Sequence, residues 1–225
     1  MLRGLTKQTI FRFTLLACML GMTLVAYAGN NVSVTLTGVG GAEYGYGSNY
    51  ADGEYVLPYY VSINNGTPIA VICDDFNHSV SLNENWTATI HTFSDLTGTR
   101  FGTADSTQYH EAVWLASQVT SGSSLSTISA IQFAIWSLFS SGVPQVSGES
   151  SWLAQATTAS THNYYGLDFS HWEILTPLSP SSPQEFFFYV PSIPEPSAWL
   201  DLFVGLVAFA GIWTMKRRQI ASARI

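Results

Sequence analysis

The feature that most constrains this chain is an apolar segment near its C-terminus. Residues 198–215 are almost wholly apolar, and a basic cluster follows them directly. Eighteen residues in a helix extend for about 27 Å, which is enough to cross the hydrocarbon core of a bilayer. The pattern predicts a transmembrane helix over 198–215. It also predicts a cytoplasmic end at 219–225, because basic residues favour the cytoplasmic side.

The residues that flank this segment form a second pattern. Pro194, Glu195 and Pro196 precede it, and Lys216, Arg217 and Arg218 close it. Each proline fixes its backbone and lacks an N–H, so this triplet separates the segment from the rest of the chain. Over 191–218 the tail resembles the PEP-CTERM sorting signal of Gram-negative bacteria. That resemblance implies an exported protein processed by an exosortase, a membrane transpeptidase-like protease, in cells that make exopolysaccharide. The alternative is a plain single-pass anchor.

The N-terminus has the pattern of a secretory signal peptide over 1–28. Three basic residues precede an apolar stretch at 13–25, and Ala26-Tyr27-Ala28 forms an A-x-A cleavage site with Ala26 and Ala28 as its small residues. The pattern predicts export through the Sec translocon and transient residence in the inner membrane. Cys18 stands in a poor lipobox, since too little apolar sequence precedes it.

Charge is distributed unequally along the chain. Arg100 is the one basic residue in residues 29–190, and that segment holds all the acidic residues except Glu195 and Asp201. Such an acidic body argues against nucleic-acid binding, which needs a cationic surface. Without its two ends, the chain keeps a body of 29–190, about the size of one domain with its own core.

The body predicts an α+β fold. Alternating or apolar runs with turn signals between them predict strands, at 30–37, 55–62, 68–74, 85–93, 169–175 and 185–190. Apolar residues at helical spacing predict helices at 108–119, 126–139 and 151–159, with Ser126 as a candidate cap. The Asn65-Gly66 pair predicts a tight hairpin turn. This order predicts a β-sandwich or barrel-like set of strands that carries a helical insert.

The sharpest candidate site pairs Cys73 with Gln132. Removal of the signal peptide leaves Cys73 as the only cysteine, so no disulfide can form within the mature chain. Here the body resembles the bacterial thioester domain, through Ile72-Cys73-Asp74, Tyr109–Trp114 and Ile131–Trp136. Ile72, His110 and Ile131 depart from that family's motifs.

The thioester resemblance implies an internal bond between Cys73 and Gln132 that can acylate an amine or a hydroxyl on another surface. Such chemistry is a single turnover, so the chain is not expected to be an enzyme in the ordinary sense. The other interpretation is that Cys73 is a small buried apolar residue and Gln132 a hydrogen-bonded helix residue.

Other constellations are weaker. Cys73 and His78 could form a dyad, and Asp74, Asp75 and Glu84 could bind calcium in a loop without EF-hand spacing. Adjacent carboxylates on a strand point to opposite faces. The histidines lack the short spacing of zinc ligands. Trp86 and Trp136 are predicted in the core, and Trp172 at the surface. No metal or cofactor is predicted.

Two classes of function follow from these patterns. The first is a structural or adhesive protein of an exopolysaccharide matrix, as in a biofilm or floc, that is processed at its tail and has exopolysaccharide or an amine-bearing surface as its partner. The second is an exported carbohydrate-active or cysteine-dependent enzyme. The first is favoured because no catalytic acid pair, triad or metal-ligand set is visible in the sequence.

Overall fold

The computed structural model describes residues 31–180 and 183–191. The predicted signal peptide, the sorting signal and the helix at 198–215 lie outside these ranges. Within them, no helix combines the length and the apolar character that a membrane span requires.

The strands are β1 (Asn31–Val39), β2 (Gly45–Tyr46), β3 (Tyr50–Ala51), β4 (Glu54–Tyr55), β5 (Tyr59–Ile63), β6 (Ile69–Cys73), β7 (Asn85–Thr92), β8 (Trp172–Pro177) and β9 (Phe186–Tyr189). Six of them form a closed barrel. They pair in the antiparallel cyclic order β1-β5-β6-β9-β8-β7, and β7 returns to pair with β1. Closure leaves no unpaired edge within this cycle. The structure is therefore α+β, as predicted, with a barrel rather than a sandwich.

The predicted helical insert lies between β7 and β8. It consists of α1 (Ser106–Ser117), α2 (Leu125–Phe139) and α3 (Glu149–Thr161). The cap of α2 is Ser124 rather than the predicted Ser126, because the Ser124 hydroxyl accepts the Thr127 N–H at 3.2 Å. The helix starts one residue earlier than the apolar pattern indicated, at the exposed Leu125.

The core has two parts, and α2 contributes to both. One part lies among the three helices and one side of the barrel. The other fills the barrel with inward side chains of the strands, and it includes Cys73. Phe133 and Trp136 of α2 belong to this barrel core, at 0% and 2% exposure. Helix α2 is thereby held with one face against the barrel interior.

Other local predictions also differ from the structure. The predicted strand 55–62 is divided between β4 and β5, and residues 169–171 of the predicted strand 169–175 form a 3-10 helix. The β5–β6 turn has positive φ at Asn64 and Asn65 (50° and 59°), not at Gly66, because asparagine also tolerates the left-handed region. Trp172, predicted at the surface, is buried at 8% exposure because it begins β8 and its ring contacts Phe187. Trp86 and Trp136 are in the core as predicted.

Candidate functional site around Cys73 and Gln132

Cys73 is the last residue of β6 and lies inside the barrel. It pairs with Phe186 of β9, and its side chain is fully buried. Its thiol Sγ donates to the backbone carbonyl of Asp75 at 3.4 Å. The strand therefore holds the sulfur in a dry position at the point where the chain leaves the sheet.

Gln132 reaches Cys73 from the facing helix. Its side chain is fully buried in the middle of α2, and its Nε2 donates to the backbone carbonyl of Cys73 at 2.7 Å. No group in the described part of the chain bonds to its Oε1, although that oxygen is buried. The structure thus brings together the two residues that the sequence pairs across 59 positions, and leaves the glutamine half satisfied.

The surroundings of Cys73 favour the neutral thiol. Burial raises the pKa of the Cys73 thiol well above its ordinary value, and the charge of Asp74 raises it further. A reaction of this sulfur consequently needs a group that accepts its proton.

Asp74 follows Cys73 and is also fully buried. Among the described residues, no hydrogen-bond partner exists for either of its carboxyl oxygens. Burial raises the pKa of this carboxyl well above its ordinary value, and Glu185 and Asp75 add to the shift. Folding therefore makes Asp74 bind its proton more tightly than an exposed aspartate does, so that its carboxylate, when ionised, is a stronger base than usual.

Glu185 lies before β9 and is fully buried, but it is well bonded. The Tyr109 hydroxyl of α1 donates to its Oε1 at 2.5 Å, and the Arg100 backbone N–H to its Oε2 at 2.9 Å. The Thr176 hydroxyl also donates to Oε2. Burial raises the pKa of Glu185, while these hydrogen bonds lower it. This glutamate joins the helical insert to the barrel.

Asp75, the next acid, is paired with the body's one basic residue. Arg100 Nε lies 2.9 Å from Asp75 Oδ2, and His78 Nδ1 lies 2.9 Å from the same oxygen. Arg100 also donates to the carbonyls of Pro180 and Pro183, at 3.2 and 2.7 Å. We call Asp75, His78 and Arg100 the arginine clamp. It ties three chain segments together beside the site.

The clamp changes the interpretation of two weaker candidates. His78, the suggested partner of Cys73, is bound to Asp75 and Arg100, while the thiol faces the Asp75 carbonyl. Of the suggested calcium ligands, Glu84 accepts the Ser81 N–H at 2.8 Å, apart from the clamp. Across residues 31–180 and 183–191, no three His, Cys, Asp or Glu side chains group as a metal site would require.

The chain matches no protein-family model, no curated protein and no solved structure. Its function is therefore inferred from the contacts around Cys73 and Gln132 and from the sequence patterns of its ends.

Sequence reasoning missed the polar residues that surround the site. The sequence indicates Tyr109 only as part of a motif and Glu185 only as the start of a strand. One signal was present in the sequence: Arg100 is alone among many acids, and a lone cation in such a body is expected to pair with a buried carboxylate. The pattern did not indicate which acid it would choose.

Proposed function

We propose that this chain is an exported surface or matrix protein in which Cys73 and Gln132 condense to an internal thioester that captures an amine. The observation that carries the proposal is the 2.7 Å hydrogen bond from Gln132 Nε2 to the Cys73 carbonyl, between two fully buried residues. It holds the glutamine amide at the residue that bears the thiol, as an intramolecular reaction requires.

The first step forms the thioester. Cys73 Sγ attacks Gln132 Cδ, a C–S bond forms, and the C–N bond to Nε2 breaks. The thiol proton leaves with the nitrogen, so that one ammonia is released and no oxidant is needed. Asp74 is the next residue in the chain, and its ionised carboxylate, whose pKa burial raises, is suited to accept this proton.

The second step transfers the acyl group to an outside amine. The amine nitrogen attacks Gln132 Cδ, the C–S bond breaks, and a proton from the nitrogen passes to sulfur. An amide then joins Gln132 to the partner, and Cys73 is again a thiol. Full burial of both residues protects a thioester from water before this step. It also requires that part of the cover moves before the amine enters.

The export, processing and final location of the protein are the second part of the proposal. The PEP-CTERM resemblance at Pro194, Glu195, Pro196 and 216–218 supports processing by an exosortase, and the pattern at 1–28 supports export through the Sec translocon. On this proposal the helix at 198–215 holds the domain at the inner membrane until the tail is removed. The acidic body then joins an exopolysaccharide matrix at the cell surface.

Intact-mass spectrometry of the mature protein tests the thioester. The expected mass is about 17 Da below the sum of the residues, because one ammonia is lost, and methylamine should add about 31 Da. The matched variants C73A and Q132A should each show the full mass and ignore methylamine. Full mass in the parent protein, with a Cys73 thiol that alkylates after unfolding, would overturn the thioester.

Intact-mass spectrometry, combined with cell fractionation, also tests the proposed processing and location. A mature chain that begins after Ala28 and ends near Pro194–Pro196 is expected in the outer fractions. If the full-length tail stays in the inner membrane of cells with an active exosortase, the plain anchor is correct instead.

A further inference from the structure

Another part of the barrel carries an unusual set of exposed rings. Tyr44, Tyr46 and Tyr50 are exposed by 74%, 65% and 52%. Seven large apolar side chains are exposed among the described residues, and these three fall within one stretch of seven residues. Single exposed apolar residues are normal, whereas a group of exposed aromatic rings indicates an interaction surface.

The rings of Tyr46 and Tyr50 both contact the ring of Tyr55. Its ring centroid lies 5.4 Å from that of Tyr46 and 4.9 Å from that of Tyr50. We call Tyr44, Tyr46, Tyr50 and Tyr55 the tyrosine surface. The short β3–β4 hairpin places Tyr50 directly opposite Tyr55. Positive φ at Asp52 and Gly53 forms its two-residue turn, the type that matches strand twist.

The backbone beneath the tyrosine surface is tightly ordered. Gly40 has a positive φ of 62°, and a Cβ there would lie 2.7 Å from the Tyr55 ring. A Cβ on Gly47 would lie 1.9 Å from the Gly40 carbonyl oxygen, so only glycine fits. Asn49 adds hydrogen bonds to the carbonyls of Gly40 and Leu57, each at 3.0 Å. The rings therefore stand on a scaffold that costs little further ordering when a ligand binds.

The segment that carries these rings has acidic side chains and no basic one. Glu43 and Glu54 are exposed and directly precede Tyr44 and Tyr55 in the chain. Arg100, the one basic residue of the described part, is engaged with Asp75. An acidic aromatic surface repels an anionic polymer and a second copy of this acidic body, and it favours a ligand with amino groups.

The tyrosine surface is connected to the Cys73 site through Tyr59. Its hydroxyl donates to the Tyr55 carbonyl. On β5 it pairs with Val71, two residues before Cys73 on the neighbouring strand, and its ring contacts Phe186, the pairing partner of Cys73. Burial raises the pKa of Tyr59, and the charges of Cys73 and Glu54 raise it further. One buried tyrosine thus borders both regions.

We propose that the tyrosine surface binds a glycan that carries free amino groups, a polymer of partly deacetylated amino sugars. Sugar rings stack on the exposed tyrosine faces, and the ammonium groups lie beside the rings and the carboxylates of Glu43 and Glu54. The proposal rests on the proposed function only where the bound amine later reacts at Gln132. Binding itself needs no thioester.

The test uses the mature C73A protein, which cannot form the thioester, and measures binding by isothermal titration. Three oligosaccharides of equal length serve as probes: a glucosamine oligomer, its N-acetylated form and an oligogalacturonate. The glucosamine oligomer should bind most tightly, the N-acetylated form more weakly, and the anionic oligomer not at all.

Variants locate the binding. Y46A and Y50A should each weaken binding of the glucosamine oligomer by about tenfold, the size of one well-placed ring contact. Y165A is the matched control, since Tyr165 is equally exposed (65%) and lies outside the tyrosine surface. The double variant E43Q/E54Q should weaken binding of the glucosamine oligomer only, and reduce the salt dependence of that binding.

Several outcomes would overturn the proposal. Unchanged binding in Y46A and Y50A would place the glycan elsewhere, and equal binding of all three oligosaccharides would exclude the amine as the determinant. If Y46A instead converts a dimer to a monomer in light scattering, the surface is a contact between two copies. A normal mass loss in the parent protein with no glycan binding separates failure here from failure of the thioester.

Discussion

Asp74 and Asp75 are neighbours in the chain, and both are fully buried, at 0% and 1% exposure, yet their surroundings differ. Asp75 accepts hydrogen bonds and an ion pair from His78 and Arg100 within 2.9 Å. Asp74 has no hydrogen-bond partner within the described ranges. The first arrangement is what a stable buried carboxylate requires. The second costs stability, and it persists beside the thiol.

This difference suggests that the two carboxylates have different roles, a structural one for Asp75 and a chemical one for Asp74. In the arginine clamp the Asp75 carboxylate has two cationic or polar partners, His78 and Arg100, so the role of the clamp is to hold three segments in place. Asp74 and the Oε1 of Gln132 are both left without a described partner beside Cys73. Unsatisfied buried polar groups concentrate where groups are to react. That concentration supports the site at Cys73 and Gln132.

The largest effect is expected from breaking the clamp. R100M removes the arginine from Asp75 and leaves this buried carboxylate with His78, and removing one partner of a buried ion pair typically costs about 3–5 kcal/mol of unfolding free energy. Denaturant unfolding of the mature protein measures this loss. R100K is the matched control. Its unfolding free energy should lie between those of the parent protein and R100M, because lysine keeps the charge of arginine but lacks its planar fork of N–H donors. A loss under about 1 kcal/mol in R100M would show that the clamp is not structural.

A smaller effect, on the pH dependence of stability, is expected from substitution of Asp74. The folded protein raises the pKa of this carboxyl, mainly by burial, with Glu185 and Asp75 adding and Arg100 opposing. The folded state therefore binds this proton more tightly than the unfolded state does. The stability linked to it is present at low pH and is lost as pH rises through the folded pKa of Asp74.

The melting temperature of the parent protein should therefore fall as the pH rises from acid to neutral. In D74N this fall should be smaller, since asparagine cannot ionise. D95N is the control with the opposite sign. Bonds from Thr97 lower the pKa of the exposed Asp95, so its contribution is lost as pH falls instead. A melting temperature in D74N that follows the parental pH curve throughout would mean that folding does not raise the pKa of Asp74. The same variant should slow formation of the proposed thioester.

The smallest effect is expected at the exposed N-terminal cap of α2, the helix that carries Gln132. It gives a comparison for the buried contacts above. S124A removes the hydroxyl that accepts the Thr127 N–H and should cost about 1 kcal/mol. S126A, at the position that the apolar pattern indicated as the cap, should cost clearly less. Equal losses in the two variants would show that Ser124 is not the functional cap.

Local patterns predicted most of the elements of the body. Alternation in Asn31–Val39 and in Asn85–Thr92 is a property of neighbouring residues, and both strands form as expected. The three helices of the insert also follow from local spacing. Trp172 was misplaced because a tryptophan beside polar residues looks exposed in sequence, whereas the strand that it begins decides which way it points.

The Cys73–Gln132 pair could be proposed from sequence only through its resemblance to a family, since 59 positions separate the two residues. The surrounding polar network had no such help. Tyr109 and Glu185 are 76 residues apart, and Arg100 and Pro183 are 83 apart. No periodicity links residues at such distances.

The sequence by itself determined the strands of the barrel in outline, the three helices, the acidic body and its lone arginine, because backbone propensity and side-chain patterning act over a few residues. Only the tertiary structure decided that the strands close into a six-stranded barrel. It also decided that Gln132 of α2 is hydrogen-bonded to Cys73. In the same way it decided that Arg100 pairs with Asp75, while Asp74 has no hydrogen-bond partner among the described residues. Those choices depend on which distant groups share one buried volume, and burial is a property of the whole fold.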